Sequence, residues 1–233
     1  MGNLNIPTIV LLDSGVGGVS VLSRLIKNHI YANYVYIADN AFMPYGNKSK
    51  TIIKNRAEKL ISLILKDYNP DYVVIACNTM STCVERINNK KIVLMKFKKS
   101  KRYLATKLTK KNLKGYNVVS DSKLAGLIEK NLTRKEVISK IINKHLNKMQ
   151  LKETKQLTLG CTHYELCEDL FKKYIKGKVE CNSENMVNEI KNRLKDFSTK
   201  AELNIVIETT MKSYNEQSKI LKLIENVIPN RMG

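Results

Sequence analysis

The sequence predicts an α/β fold built on parallel β-sheet, and three features support this. Short apolar runs alternate with segments of helical spacing along most of the 233 residues. Residues 8–12 (TIVLL) are apolar throughout, as in a strand that is buried on both faces. Residues 71–77 (DYVVIAC) and 156–161 (QLTLGC) each bring a cysteine to a predicted strand end, where small polar residues that can begin a helix follow. Such alternation gives a sheet covered by helices, with chemistry at the carboxyl ends of its strands.

The first predicted strand runs into a glycine-rich turn, residues 13–18 (DSGVGG), and then into a helical pattern over residues 19–26. The glycines permit a tight turn and close approach of the backbone to a ligand. The spacing is not Gly-x-Gly-x-x-Gly and no Gly-Lys-Ser/Thr follows, so the turn is neither a dinucleotide fingerprint nor a P-loop. A second strand over residues 34–38 leads through a PYGNKS loop into a long helix over residues 50–66.

The elements between and after the two cysteine strands are predicted from shorter patterns. Residues 91–95 (KIVLM) indicate a strand, residues 103–108 a helix and residues 116–119 a weak strand. A helix over residues 133–146 starts with the capping pattern Thr-Arg-Lys-Glu. After the second cysteine we expect helix 166–174, strand 179–181, helix 186–194, strand 203–208 and a closing helix that ends near residue 227.

The composition is strongly basic, with 41 Lys and Arg against 21 Asp and Glu and a formal net charge of +20. Such a charge attracts anions and supports non-specific contact with polyanions such as nucleic acid. Lysine is spread along the whole chain, however, so the densest run, Lys96 to Arg102, is predicted to be a solvated face; a phosphate-binding stripe is the alternative.

The five cysteines include no Cys-x-x-Cys pair and are accompanied by only three histidines, which argues against a disulfide framework and a metal site. Cys83 and Cys167 each follow a strand-end cysteine by six residues, so we expect them to pack in the core. No apolar stretch approaches the roughly 20 residues of a membrane span, and the first residues lack a signal-peptide pattern. The expected location is cytoplasmic.

The placement of Cys77 and Cys161 at strand-to-helix turns has a chemical consequence. Backbone N–H groups at a helix N-terminus stabilise negative charge and lower a cysteine pKa, and they also hold a carboxylate. Two such turns that face each other would place a base on either side of an anionic molecule. The alternative is that both are unrelated core cysteines, since free cysteine is among the most buried residue types.

Together these segments resemble glutamate racemase, a cofactor-independent enzyme that makes D-glutamate. The matching pieces occur in the family's order and span nearly the whole chain. They are DSGVGG (13–18), PYG (44–46), ACNT (76–79), LIE (127–129), GCTH (160–163) and TT (209–210). The combination of the two cysteine motifs is specific, and Thr162-His163 after the second cysteine favours glutamate racemase over aspartate racemase.

The resemblance implies two similar α/β lobes, each a mainly parallel sheet flanked by helices, with the active site between them. We expect residues 1–90 and 203–233 in the first lobe and residues 91–202 in the second. The implied substrate is glutamate, the implied role of its D-enantiomer is in peptidoglycan synthesis, and neither cofactor nor metal is required. No membrane contact is expected, and a homodimer is one candidate assembly.

The resemblance also implies which residues act. One thiolate removes the α-proton and the opposite thiol protonates the other face, so that the centre inverts. Cys77 and Cys161 are the two acid/bases; Asp13 assists Cys77, and His163 and Glu129 lie near Cys161. The implied substrate-binding residues are Ser14, Pro44, Tyr45, Gly46, Asn78, Thr79 and Thr162.

The chain departs from the family pattern after the first cysteine helix. A strand that ends in a Gly-Val-Ile-Glu-Pro-Gly-like segment, with the helix after it, is expected there, but residues 87–90 alone precede the strand at 91–95. The Thr-rich strand end that binds substrate then corresponds to residues 95–100, and Cys181-Asn182-Ser183 replaces an Asp-containing turn. A second hypothesis is therefore an impaired family member that binds an acidic ligand or polyanion without turnover. A thiol oxidoreductase is disfavoured because neither cysteine has a local partner.

Overall fold

The computed structural model describes residues 6–85, 87–195, 197, 203–211 and 214–227. Its strands are β1 (Thr8–Asp13), β2 (Asn33–Ala38), β3 (Tyr72–Ile75), β4 (Ile92–Leu94), β5 (Arg102–Thr106), β6 (Asn117–Asp121), β7 (Gln156–Gly160), β8 (Lys178–Cys181) and β9 (Asn204–Thr209). Its α-helices are α1 (Val19–Lys27), α2 (Lys50–Tyr68), α3 (Asn78–Ser81), α4 (Lys107–Asn112), α5 (Leu124–Lys130), α6 (Lys135–Lys148), α7 (Thr162–Glu165), α8 (Glu168–Tyr174), α9 (Ser183–Arg193) and α10 (Tyr214–Val227). Within these ranges no helix is long and apolar enough to cross a membrane.

The strands form two separate parallel sheets, which confirms the predicted α/β fold of two lobes. The first sheet has the order β4-β3-β1-β2-β9 and the second the order β6-β5-β7-β8. β1 lies at the centre of the first sheet, and its residues Ile9 to Leu12 are fully buried because helices cover both faces. The parallel register brings the carboxyl ends of β1 and β3 to the same edge of the sheet. Asp13 at the end of β1 and Cys77 just after β3 therefore lie at that edge.

Each sheet has its own hydrophobic core. In the first lobe, α1, α9 and α10 cover one face through residues such as Leu22, Met186 and Ile220, and α2 covers the other. In the second lobe, α5, α6, α7 and α8 cover one face of the sheet. Cys83 and Cys167 are buried in these cores, as expected from their spacing. All five cysteines are free thiols.

Helix α2 shows how local sequence sets the boundaries of an element. Ser49 caps its start by accepting a hydrogen bond from the Ile52 N–H at 3.2 Å, and Asn69 ends it in the left-handed conformation, with φ of 40°. Helix α6 starts within two residues of its predicted position, but Arg134 is at its N-cap without a side-chain hydrogen bond. The predicted Thr133 capping interaction is therefore wrong.

The boundaries predicted for the two lobes need correction. The strand at residues 91–95 is β4, which pairs with β3 of the first sheet rather than opening the second lobe at residue 91. Helix α9 likewise packs its apolar face against the first sheet, so the second lobe does not extend to residue 202. The parts of the predicted lobes at residues 1–5, 86, 196, 198–202, 212–213 and 228–233 lie outside the described residues.

A second correction concerns residues 103–108, which were expected to be helical. They form β5 and the first turn of α4, because Tyr103, Leu104 and Ala105 are fully buried between β6 and β7. The chain thus first passes from one sheet to the other through the short segment 95–101, which runs from the end of β4 to the start of β5, and it returns to the first sheet between β8 and β9. Phe97 of segment 95–101 packs edge-on against Tyr103 and so ties this segment to the second sheet.

Candidate active site

A cavity of about 550 Å³ lies between the carboxyl ends of the two sheets. It is lined by all of the predicted site residues except Asp13: Ser14, Pro44, Tyr45, Gly46, Cys77, Asn78, Thr79, Glu129, Cys161, Thr162 and His163. These residues come from strand ends and turns of both lobes, so neither lobe forms the cavity alone. Lys107, Lys123 and Lys130 also line it, and each of these side chains is exposed.

Cys77 lies between β3 and α3 and is only 5 % exposed. Its Sγ accepts a hydrogen bond from the Met80 N–H at 3.5 Å and donates one to Ser14 Oγ at 3.7 Å. Burial, reinforced by the nearby Asp13 carboxyl, nevertheless raises the pKa of this thiol far above its usual value. The predicted lowering of the Cys77 pKa is therefore wrong, because α3 spans four residues and its N–H groups are outweighed by burial.

Cys161 lies at the equivalent place in the second lobe, between β7 and α7, and is also buried. His163 is hydrogen-bonded to it and contacts Glu129 of α5 through Nε2. Burial alone would lower the pKa of His163, but Glu129 and Cys161 together raise it well above its usual value. Burial would likewise raise the pKa of Glu129, but His163 and Lys219 hold it below its usual value. The pair is thus an imidazolium and a carboxylate at neutral pH.

Asp13 lies behind the cavity wall and connects the two lobes. Its carboxyl accepts hydrogen bonds from the Gly15 N–H at 3.0 Å and from the Thr162 hydroxyl at 3.2 Å. Burial raises its pKa, and His163 opposes that rise. Asp13 does not cap α1, which begins at Val19 without a side-chain cap.

The PYG loop is fixed from behind by a buried carboxylate, Asp39. The Tyr45 hydroxyl donates to Asp39 at 2.5 Å, Arg56 donates two hydrogen bonds at 2.9 and 2.6 Å, and Thr210 donates one at 2.9 Å. Although burial opposes it, these hydrogen bonds lower the pKa of Asp39. The second threonine of the TT motif therefore contacts Asp39 rather than the cavity.

Asn78 and Thr79 present polar groups to the cavity from the start of α3. Asn78 Oδ1 accepts a hydrogen bond from Asn182 at 2.8 Å, while its buried Nδ2 has no partner among the described residues. Thr79 Oγ1 lies 2.9 Å from the hydroxyl of Thr106 and 3.1 Å from that of Thr109. An unpaired buried amide at a cavity wall is suited to bind a carboxylate oxygen.

Thr106 and Lys107 are cavity residues that sequence reasoning missed. The Thr-rich strand end was expected at residues 95–100, but the structure has it at the end of β5, where Thr106 lines the cavity. The available signal was the pair of threonines in ATKLT (105–109), which follows a β-prone run. Among the described residues, no group of three or more His, Cys, Asp or Glu side chains is arranged to hold a metal ion.

A two-lobed α/β fold with a thiol from each lobe at one cavity is the arrangement expected of a cofactor-independent amino-acid racemase, and the relatives of the chain are racemases of this class. The chain is 30% identical to glutamate racemase 3 of Caldanaerobacter subterraneus subsp. tengcongensis over 73% of this chain and 71% of that protein. It is also 30% identical to the glutamate racemase of Buchnera aphidicola subsp. Acyrthosiphon pisum, over 93% of this chain and 88% of that protein. The chain belongs to the glutamate racemase family.

The fold agrees with a solved structure of the same family. The Escherichia coli glutamate racemase, in complex with L-glutamate and the activator UDP-MurNAc-ala, superposes with a TM-score of 0.76 at 22% identity, covering 95% of each chain. No protein-family model matches the chain.

Proposed function

We propose that this protein interconverts L- and D-glutamate by a two-base mechanism in which Cys77 and Cys161 act from opposite faces of the substrate. The observation that carries the proposal is that both thiols, each from a different sheet, line one cavity. A shared cavity lets one small molecule contact a sulfur from each lobe. The family relationship and the L-glutamate complex of the Escherichia coli relative support glutamate as the substrate.

The surroundings of the two thiols differ and support different roles for them in the first proton transfer. Burial and Asp13 favour a protonated Cys77, which suits a proton donor. On the other side the positively charged His163 is hydrogen-bonded to Cys161, which we assign as the base that removes the α-proton. After one turnover the two roles are exchanged, so the enzyme is ready for the opposite enantiomer.

The remaining cavity residues are suited to bind an amino diacid. The free Nδ2 of Asn78 and the hydroxyls of Thr79 and Thr162 are donors for carboxylate oxygens. The exposed lysines at the cavity draw the anionic substrate in. Because carboxylate binding also stabilises charge that develops beside the α-carbon, the same contacts assist proton removal. We assign the D-glutamate product to peptidoglycan synthesis.

The test is a racemisation assay by circular dichroism with each enantiomer of glutamate. We expect the signal of either enantiomer to decay to zero with the native protein, and to persist with Cys77→Ala or Cys161→Ala. Cys83→Ala, which removes a core thiol away from the cavity, is the matched control and should remain active. If glutamate binds but neither enantiomer is converted, the protein is instead an impaired family member that binds without turnover.

A further inference from the structure

We propose that Lys219, on helix α10, is a positioning residue for the same reaction: its ammonium holds Glu129 in the orientation that directs His163 towards Cys161. This inference rests on the proposed function and extends it to a residue from the other lobe. It assigns a role to α10 beyond packing against the first sheet.

The contacts form a continuous chain from α10 to the second thiol. Lys219 Nζ lies 3.3 Å from Glu129 Oε1, while the other carboxylate oxygen, Oε2, contacts His163 Nε2. His163 in turn is hydrogen-bonded to Cys161. Each oxygen of Glu129 thus has its own cationic partner, which fixes the rotation of the carboxylate plane.

The chain also crosses between the lobes. Ile220, the next residue on α10, is fully buried in the core of the first lobe, so the position of Lys219 is set by that core. Glu129 belongs to α5, which packs in the core of the second lobe. The side chain of Glu129 is only 11% exposed and that of Lys219 is 31% exposed, so solvent screens the pair incompletely.

The charges around Glu129 explain why a second cation matters. Glu129 faces His163 from α7, Lys219 from α10 and, at longer range, Asp13 from β1. On the elements packed against α10, Arg24 of α1 pairs with glutamates of α7 and α8, and Glu208 of β9 accepts the Tyr68 hydroxyl. Among the residues that the structure describes, Lys219 is therefore the cation besides His163 that pairs with Glu129 and offsets its buried negative charge. Without Lys219, the Glu129 carboxylate would pair with His163 alone, and the pKa of Glu129 would be higher.

The kinetic test compares Lys219→Met with Lys219→Arg and with Lys222→Met, a control at an exposed lysine on the same helix. We expect Lys219→Met to lower kcat by about 3- to 10-fold with little change in KM, and to move the acidic limb of the pH profile upward by about 0.5–1 pH unit. Lys219→Arg should restore both values. An unchanged pH profile in Lys219→Met, or an equal effect of Lys222→Met, would overturn the proposal.

A second readout does not depend on turnover and so separates this inference from the proposed function. The rate of iodoacetamide alkylation at Cys161 and Cys77 is measured against pH by mass spectrometry. We expect Lys219→Met to change the pH dependence at Cys161 and to leave that at Cys77 as in the native protein. Equal profiles at Cys161 in both proteins would reject the role of Lys219 even if the native protein racemises glutamate.

Discussion

Asp13 shows how a single buried side chain can serve both lobes. It is the last residue of β1 in the first sheet, adds to burial in raising the pKa of Cys77 and accepts a hydrogen bond from Thr162 of the second lobe. Because Asp13 is fully buried, little solvent screens its charge from the thiol. The protonation of Cys77 is therefore coupled to a group that also contacts the other half of the site.

Replacing Asp13 with asparagine tests this coupling. Asn retains the size of the side chain and an acceptor for the Gly15 N–H but removes the negative charge. We expect the pKa of Cys77 to fall, so that alkylation of Cys77 moves to lower pH by roughly one unit. Asp71→Asn, at the opposite end of the same sheet, is the control. An unchanged alkylation profile in Asp13→Asn would show that burial alone sets the pKa of Cys77.

At the residue scale, the sequence was most informative where motifs occur at strand ends. Cys77 and Cys161 were each predicted to lie at a strand-to-helix turn, and the resemblance to glutamate racemase implied that the two turns meet between the lobes; the structure brings both to one cavity. Lys219 gave no such signal, because it is one lysine among many on an amphipathic helix. The raised pKa of Cys77 was also beyond prediction, since burial and the distance to Asp13 depend on tertiary packing.

At the scale of elements, the short helix α7 carries an unusual buried carboxylate next to the cavity. The side chain of Glu165 is fully buried and accepts hydrogen bonds from the N–H and hydroxyl of Ser183, at the start of α9. Arg24 of α1 lies 3.9 Å away. Burial outweighs these partners and raises the pKa of Glu165 to about 7. Glu165 thus links the helix that bears Thr162 and His163 to two helices of the first lobe.

The raised pKa of Glu165 has a consequence for stability. The folded protein binds this proton more tightly than the unfolded chain, so the contribution of Glu165 is greatest at low pH and is lost as pH rises through about 7. The native protein should therefore lose about 2–3 kcal/mol of unfolding free energy from pH 5 to pH 7.5 that Glu165→Gln, which cannot ionise there, does not lose.

Urea denaturation at both pH values measures this difference. Glu153→Gln, at an exposed carboxylate in a surface ion pair, serves as the control and should leave the pH dependence unchanged. Parallel stability curves for the native protein and Glu165→Gln would contradict the assignment.

The helices and strands were predicted best where the apolar pattern is long. Helix α2 was expected over residues 50–66 from its helical spacing and occurs at that place. The strand β5 was read as a helix because its pattern spans only five residues and runs directly into α4. Its identity depends on pairing with β6 and β7, which lie at distant positions in the chain.

For the whole molecule, the site depends on how closely the two lobes approach each other. The DSGVGG turn of the first lobe contacts α7 of the second at Gly17. A Cβ atom added there would lie 2.8 Å from His163 Nδ1 and closer still to Thr162 Oγ1. Glycine is thus required at this position by the close approach rather than by its own backbone conformation.

Gly17→Ala is therefore expected to separate activity from folding. The added Cβ atom must push α7 away by up to about 1 Å, which displaces His163 and Cys161. We therefore expect kcat to fall by about 100-fold. The thermal midpoint should change little, because the core of each lobe is untouched. Gly126→Ala is the comparison, since a Cβ there meets no heavy atom within 4 Å. A kcat in Gly17→Ala equal to that of the native protein would contradict this prediction, because it would show that the two lobes accommodate the added Cβ without displacing His163 and Cys161.

The α/β fold was predictable from the alternation of strands and helices, and the two lobes from the resemblance to glutamate racemase, but the division of the chain between the lobes was not. The strand β4 and helix α9 join the first lobe because their apolar faces complete its core. Nothing in their own sequences distinguishes that core from the other. The distance across the cavity likewise depends on packing between the lobes, through contacts such as Thr162 to Asp13.

The most direct test of two opposed thiols is the fate of deuterium when L-glutamate is incubated with the protein in D₂O. With one thiol on each face, the proton removed by one sulfur is not returned, and the new hydrogen comes from the other sulfur. We expect early D-glutamate to carry deuterium at the α-carbon while the recovered L-glutamate still carries hydrogen, as measured by NMR and mass spectrometry. Equal deuterium in product and recovered substrate at early times would contradict the mechanism, because it would mean that a single base serves both faces.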